Sequence, residues 1–425
     1  MSPDEISQLA SLGIVLLSAL VAWFHPAWVF ALVLIAVPLR VPIFPSVEIA
    51  TLLFLGALLG RAREIVFAMR AEPTLLALTA ALPAWFLVSA LWALQPSFVF
   101  YATGKWLMVW LAMWLVVADD TLRPRRVVLS GFIAMAPSAL WGAAERLRLI
   151  APLGDPEILR NRAIDLGYMI RGRALFWHPN RLAEFVEQIG LLLIGCGMSR
   201  LMPVLCAVGV AIACFGVWGT DSKAGIATMV GGGLVTAALL WIVAVARRTM
   251  SATARRRASW IAAGGVVLAL VVAAWAYVAH GGIGSRVLIY RYAWQLVEKQ
   301  PILGVGGGNW ALAVGMAPLS VSRFWFRSHA HSLPLQLLVE VGAIGVLLGV
   351  LFFATPLWVA WRRLGDAARE WRGVVHGAMA GVIGLLAHNL VHYFLRDPVD
   401  GITTGLLLGL AVRGVRSSGE NGDVP

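Results

Sequence analysis

Two histidines, His329 and His331, stand directly before an apolar run that begins near residue 333 and contains Glu340. An imidazole has an unperturbed pKa of about 6.5, so it can act as a general base near neutral pH. A carboxylate inside an apolar run is unfavourable by several kcal/mol unless it has a partner, so Glu340 needs one. The spacing therefore indicates either a site of proton transfer or interfacial histidines beside a structural ion pair.

Arginines accompany these histidines in two long segments between apolar runs, at residues 146–183 and 281–332. A guanidinium group binds phosphate in a bidentate manner, and its charge also attracts lipid headgroups. The segments therefore predict an anion-binding cavity, with contacts to headgroups as the alternative. The arginines selected for such a cavity are Arg181, Arg286, Arg291 and Arg327.

Three further patterns carry weaker signals. Lys223 follows the polar residues 220–222 at a predicted helix start, where it could bind a phosphate or extend to the interface. His388 and His392 have the i, i+4 spacing of a metal pair on one helix face, but without an HExxH context packing or hydrogen bonding is favoured. The glycine-rich stretch 304–308 follows no strand, so it predicts a tight turn rather than a phosphate-binding loop.

The composition is that of an integral membrane protein. Of the 425 residues, 60% are hydrophobic and only 13% are charged, whereas soluble proteins have roughly 25% charged residues. So large a hydrophobic share cannot be buried in one water-soluble core. The net charge of +12 comes mostly from arginines between the apolar runs, which favours topology signals and lipid or phosphate contacts over a nucleic-acid partner.

Neither the N-terminal residues nor the cysteines predict a secreted, disulfide-linked protein. The first residues, 1–5, lack the basic region of a cleaved signal peptide, so the first apolar run is expected to remain as a helix. The three cysteines all lie inside apolar runs, which predicts neither a disulfide framework nor a zinc site. They are Cys196, Cys206 and Cys214.

Apolar runs long enough to span a bilayer recur along the whole chain. Since each spanning helix needs roughly 20 apolar residues, they predict an all-α, polytopic protein with about 12 transmembrane helices. The runs lie at 9–24, 27–44, 46–60, 74–94, 98–118, 127–145, 184–199, 201–219, 224–246, 258–280, 333–361, 374–395 and 401–415. Pro38 and Pro42 make the runs within 27–60 either tilted helices or a broken pair.

The basic clusters predict the orientation. Four arginine clusters, within 61–70, 123–126, 247–257 and 362–372, fall on one side of this arrangement, which the positive-inside rule makes cytoplasmic. The segments 146–183 and 281–332 then lie outside as two periplasmic loops of a single membrane domain that covers residues 1–425. In the second loop, Arg286, Tyr290, Arg291 and Trp294 recur at helical spacing, which predicts an amphipathic helix on the membrane surface.

The stretch from Arg286 to Gly345 resembles the signature region of the O-antigen ligase and polymerase family. The family pattern has an arginine before an amphipathic helix, a Pro-x-x-Gly-Val-Gly turn, then a histidine before Glu-x-Gly-x-x-Gly. Here these positions are Arg286, then Pro301, Gly304, Val305 and Gly306, then His331, Glu340, Gly342 and Gly345. Upstream, HPNRLAEF with Pro179, Asn180 and Ala183 is similar to a further element, and DSKAG to another, with Lys223 where arginine is usual.

The resemblance implies a membrane glycosyltransferase with a fold like that of the GT-C class and with a large periplasmic loop. It implies a donor glycan on undecaprenyl pyrophosphate and, for a ligase, a hydroxyl of the lipid A core oligosaccharide as acceptor. In polymerases the acceptor is another lipid-linked repeat unit, and in a third branch a protein hydroxyl. No cofactor is implied.

Pyrophosphate is a good leaving group, so the enzyme must chiefly position the donor and neutralise charge, which arginines can do without a metal ion. We expect His331 to abstract the acceptor proton, Arg286 to bind pyrophosphate, and Glu340 to orient His331 or its helix. The predicted catalytic residues are thus His331, Arg286 and Glu340. The predicted substrate-binding residues are Lys223, Arg291, Asn180, Arg181, His329 and Arg327, with no metal ligand among them.

Two other functions compete with the ligase. A repeat-unit polymerase would share fold, donor and histidine, so the sequence separates it poorly from a ligase. A polytopic transporter would have a similar number of spans, but no repeat between the two halves is evident, and an outer loop near fifty residues suits an enzyme better.

Overall fold

The computed structural model is helical almost throughout. It describes residues 3–38, 42–44, 47–150, 171–176, 178–233, 236, 286–315, 329–365, 367–396 and 398–416. Within these residues the only strands form one short antiparallel pair, Pro42–Phe44 with Val47–Glu48. The all-α prediction is confirmed for this part of the chain.

The α-helices are numbered here in chain order. The N-terminal half contains α1 (Pro3–Phe24), α2 (Val29–Ala36), α3 (Ile49–Gly60), α4 (Ala62–Ala71), α5 (Pro73–Val88), α6 (Pro96–Val117) and α7 (Pro124–Arg146). After the gap come α8 (Pro179–Met198), α9 (Pro203–Thr220) and α10 (helical residues 223–233). The remainder contains α11 (Val287–Lys299), α12 (Trp310–Gly315), α13 (Leu333–Arg363), α14 (Arg369–His388) and α15 (Pro398–Arg416). Short 3-10 helices, Pro26–Trp28 and Ser89–Leu91, follow α1 and α5.

Most of the apolar runs that fall within the described residues form helices close to their predicted positions. Among the described residues, five helices are long and apolar enough to cross a membrane, and a sixth candidate is the pair Ala10–Phe24 and Pro26–Ala36, bent by 114°. The chain is therefore a multi-pass membrane protein. The total of about a dozen spans stays a prediction, because the run at 258–280 and much of 224–246 lie outside the described residues.

Prolines mark where many of these helices begin. A proline occupies the first or second helical position of α5 to α9 and of α13. Proline is favoured there because its fixed φ suits a helix, and the N–H that it lacks has no partner inside the helix at that position. The sequence therefore sets the starts of these helices locally, before any tertiary contact is considered.

The centre of the molecule is built from helices with glycine-lined contacts. On α14, a Cβ at Gly377 would collide with the α8 backbone at Leu192, and on α15 a Cβ at Gly405 would collide with Val109 of α6. Small residues at these crossings let the backbones approach closely, which is how membrane helices gain packing energy. This close approach lets α8 carry polar side chains into the interior, where Thr404 of α15 donates a hydrogen bond to Gln188 at 3.2 Å.

The described part of the loop 281–332 folds as a small packed layer against α13. Ile289, Ala293 and Val297 form the buried face of α11, and Arg291 and Trp294 are exposed on the other face. The helix is therefore amphipathic, as the spacing indicated, but its buried face packs on protein. Its buried residues share a second hydrophobic cluster with Val305, Trp310 and Val339.

The glycine-rich stretch forms a turn that docks into a break in α13. Val305 N–H donates to the Val339 carbonyl at 2.9 Å, and Gly306 N–H donates to the Glu340 carbonyl at 2.8 Å. Gly342 interrupts the helix with φ 70° and ψ −170°, a conformation open essentially to glycine alone. The glycine-rich turn and the helix break at Gly342 thus pack against each other, and we call this contact the glycine joint.

We expect Gly342→Ala to destabilise this joint. A Cβ at this position would collide with the Ile302 carbonyl, and the left-handed backbone alone adds about 1–3 kcal/mol of strain for a residue with a side chain. The melting temperature in detergent should fall by several degrees. Gly104→Ala, in α6 with open space around its Cβ, is the matched control, and equal melting temperatures for the two variants would contradict the prediction.

Candidate active site

Five of the eight histidines of the chain converge at one end of α8, α13 and α14. His392 lies in the middle, with its ring centroid 6.0 Å from that of His329 and 6.3 Å from that of His331. His178 and His388 lie on two other sides of it, at 6.2 Å and 5.7 Å. We call these five residues the histidine cluster.

His329 and His331 are held by the segment that leads into α13. Their rings are 4.1 Å apart, and His331 has φ 52°, the left-handed region that a histidine seldom adopts. Tyr290 of α11 donates a hydrogen bond to the His331 carbonyl at 3.1 Å, and Leu333 N–H donates to the Asn389 carbonyl at 2.8 Å. Contacts from α11 and from the end of α14 therefore fix this backbone conformation.

Glu340 acts on the same segment from inside α13. Its buried carboxylate accepts a hydrogen bond from Gln336 at 2.7 Å, and the Gln336 side-chain oxygen accepts one from Ala330 N–H at 2.6 Å. Ala330 lies between the two histidines in sequence. The connection from Glu340 to the predicted base thus runs through Gln336 and the backbone.

The two upstream elements of the resemblance meet next to the cluster. Arg171 donates to the Asn180 side-chain oxygen at 2.6 Å and to the Thr220 carbonyl at 2.7 Å. His178 caps α8, since its Nδ1 accepts from Asn180 N–H at 3.1 Å. Lys223 is exposed, so the cation that joins these elements is Arg171, which the sequence analysis did not select.

The predicted anion-binding arginines have different environments. Arg286, partly buried, donates a hydrogen bond to the Val391 carbonyl, one residue before His392. Arg181 is buried and forms an ion pair with Asp400 at 3.5 Å. Arg291 is exposed on α11, and Arg327 lies outside the described residues.

Burial and positive charge keep two partly buried histidines, His178 and His331, neutral. Burial, and then the charges of Arg286 and Arg396, lowers the pKa of His331 to about 4. Burial, and then nearby arginines with Arg171 first, lowers the pKa of His178 to about 3. At neutral pH both rings therefore have a nitrogen lone pair that can accept a proton.

Two carboxylates on α8 complete the cluster. Glu187 contacts His388 Nδ1 at 2.9 Å, and Glu184 accepts a hydrogen bond from Asn389 at 3.1 Å while lying 3.9 Å from His392 Nε2. Both are almost fully buried. The arrangement brings neutral imidazoles, buried carboxylates and guanidinium groups together, which suits proton transfer beside an anionic group.

Comparison with known families identifies a segment that contains several residues of this site. Residues 208–350 match the family model described as O-antigen ligase. The resemblance drawn from the sequence is thereby confirmed. The O-antigen ligase segment contains Lys223, Arg286, Arg291, Arg327, His329, His331 and Glu340, whereas His178, Asn180, Arg181, His388 and His392 lie outside it. A comparison with curated proteins finds no match.

Apart from Gln336, the site residues that sequence reasoning missed lie outside the O-antigen ligase segment. His392 was expected on one helix face with His388, but α14 ends at His388 and the chain turns, so His392 faces His329 and His331 instead. Glu184 and Glu187 were missed because the apolar run 184–199 that contains them was interpreted only as a spanning helix; the helix itself begins at Pro179. Charged residues near the start of an apolar run were the available signal.

Proposed function

We propose that this chain is an O-antigen ligase. It transfers a glycan from undecaprenyl pyrophosphate to a hydroxyl of the lipid A core oligosaccharide at the periplasmic face of the bacterial inner membrane. The observation that carries the proposal is that His331 and Arg286 share the segment that matches the family, and that Arg286 contacts the residue before His392, whose ring lies 6.3 Å from that of His331. The proposal includes about 12 spans, with 281–332 and 146–183 outside the membrane.

The proposed reaction is a direct displacement with inversion. The acceptor oxygen forms a bond to the anomeric carbon while the bond from that carbon to the pyrophosphate oxygen breaks. The hydroxyl proton passes to the lone pair of His331, and the bonding electrons leave with the pyrophosphate. Arg286 stabilises the charge on the leaving group, and guanidinium donors are suited to this because they bind phosphate oxygens in pairs.

The remaining residues position these groups. Gln336 transmits the position of Glu340 to the backbone between the histidines. Asn180 and Arg171 tie the start of α8 to the end of α9, beside His178. Lys223, Arg291, Arg181, His329 and Arg327 remain candidates for contacts with the glycan or the lipid diphosphate.

Reconstitution with alternative acceptors tests the proposal directly. The purified chain in proteoliposomes would receive a lipid-pyrophosphate glycan together with either lipid A core or a second lipid-linked unit. A ligase glycosylates lipid A core. Growth of the lipid-linked chain alone would show a polymerase, and uptake without transfer of glycan would show a transporter; either result would overturn the proposal.

We expect transfer to continue in an excess of divalent-metal chelator. Guanidinium groups take the role of a metal ion in the proposed mechanism, so the rate should match that without chelator. The initial rate of product formation is the measurement, with a Mg²⁺-dependent glycosyltransferase as the control that confirms effective chelation. Loss of transfer that Mg²⁺ restores would contradict the metal-independent mechanism.

A further inference from the structure

The histidine cluster contains three side chains arranged as metal ligands. One ring nitrogen each from His329, His331 and His392 can be chosen so that all three lie within 4.8 Å of one another. In a tetrahedral zinc site, ligand nitrogens bound at 2.0–2.1 Å lie roughly 3.4 Å apart. Small ring rotations would therefore bring these three rings to coordination distance.

Unpaired nitrogens in the cluster point to the same conclusion. Nδ1 of His392 and Nδ1 of His331 are buried without a hydrogen-bond partner among the described residues, and so is Nε2 of His388. A buried polar atom without a partner is unfavourable by about 1–3 kcal/mol, so native structures seldom retain one without a reason. A bound cation would satisfy the two that belong to the three candidate ligands.

One carboxylate lies near a candidate ligand, and a second contacts a neighbouring histidine of the cluster. The Glu184 carboxylate lies 3.9 Å from His392 Nε2, and Glu187 contacts the neighbouring His388 at 2.9 Å. Carboxylates beside ligand histidines commonly fix ring orientation in such sites and raise ligand basicity. Arg286 and Arg396 place positive charge near His331, so direct coordination by the three imidazoles has to outweigh this repulsion of a cation.

We propose that His329, His331 and His392 bind a divalent transition-metal ion of the zinc class, and that this ion inhibits transfer. Three imidazoles leave the fourth position open, and imidazole ligands select Zn²⁺ and similar ions over Mg²⁺. The inhibitory part rests on the proposed function, because the metal occupies the lone pair through which His331 would accept the acceptor proton. Binding itself requires no substrate.

Zn²⁺ titration of the full-length chain tests the site. The protein would be purified in detergent through a tag without histidine, and binding measured by calorimetry. We expect one Zn²⁺ per chain, with affinity at least about tenfold weaker in His329→Gln and in His392→Gln. His376→Gln, whose ring binds the Arg372 carbonyl on α14, should bind as the wild type does.

Three results would overturn the inference: no saturable binding by the wild type, unchanged affinity in both cluster variants, or an equal loss in His376→Gln. Elution as a single folded species qualifies each variant, and either cluster variant alone suffices if the other fails to fold. Zn²⁺ should also stop transfer reversibly, with chelator restoring it. A chain that binds Zn²⁺ yet never transfers glycan refutes only the proposed function, and one that transfers without binding refutes only this site.

Discussion

Replacement of His331 is expected to reduce glycan transfer by roughly 10²–10⁴-fold, the usual contribution of a general base. The protein should still fold and insert, because the ring is only partly buried. The measurement is the initial rate in the reconstituted system, with donor and acceptor both saturating. The effect should appear in kcat, since the imidazole takes up the proton in the transition state.

The backbone of His331 determines which variants are informative. His331 has φ 52°, so His331→Ala would place alanine, which has no polar side chain to form a local hydrogen bond, in the left-handed region. His331→Asn is the better test, because asparagine adopts the left-handed backbone conformation more readily than alanine does. His376→Ala on α14, outside the cluster, controls for general effects of losing a histidine. Transfer at the wild-type rate by both His331 variants would remove this residue from the mechanism.

Arg286→Lys is expected to lower kcat/KM for the lipid-pyrophosphate donor by roughly 10–100-fold. The guanidinium of Arg286 already donates to the Val391 carbonyl, and its other N–H groups would donate to phosphate oxygens in the proposed complex. A lysine keeps the charge but loses the planar fork. A hydrogen bond to a charged group contributes about 1.5–3 kcal/mol, which corresponds to this change in rate.

Arg362→Lys is the matched control, because it makes the same substitution away from the proposed pyrophosphate site. Arg362 is exposed near the end of α13, beside Trp358, so its replacement keeps the charge change identical and should leave kcat/KM unchanged. A melting temperature equal to the wild type in both variants would exclude unfolding as the cause. If Arg286→Lys transferred glycan with unchanged kcat/KM, charge alone would be sufficient at this position.

Much of the helical framework could be predicted locally. Hydropathy placed α5, α6, α7, α9 and α13 to within a few residues, because a membrane helix satisfies its own backbone hydrogen bonds and shows its apolar length directly. Prolines at the helix starts carried the same information. The amphipathic spacing from Arg286 to Trp294 predicted α11, although its apolar face packs on α13.

The catalytic candidates were located, but their neighbours were not. His331, Arg286 and Glu340 lie in one contiguous signature, so residue type and spacing were sufficient to select them. Arg171 and Glu187 come from other parts of the chain, and no local pattern shows that their side chains lie beside the histidine cluster. Arg181, in contrast, was selected as a substrate-binding residue, but the structure places it in a buried ion pair with Asp400, on a helix more than two hundred residues away in the chain.

What the sequence determined by itself was the helical, membrane-embedded character of the chain and the signature centred on His331. Both are properties of short segments, since helix formation in an apolar solvent and turn formation at glycine depend on neighbouring residues. Only the tertiary structure decided that His392 turns away from α14 towards His329 and His331, and that α8 brings buried carboxylates beside it. Those contacts depend on how distant helices pack, and a glycine that permits close packing does not indicate in the sequence which helix will pack against it.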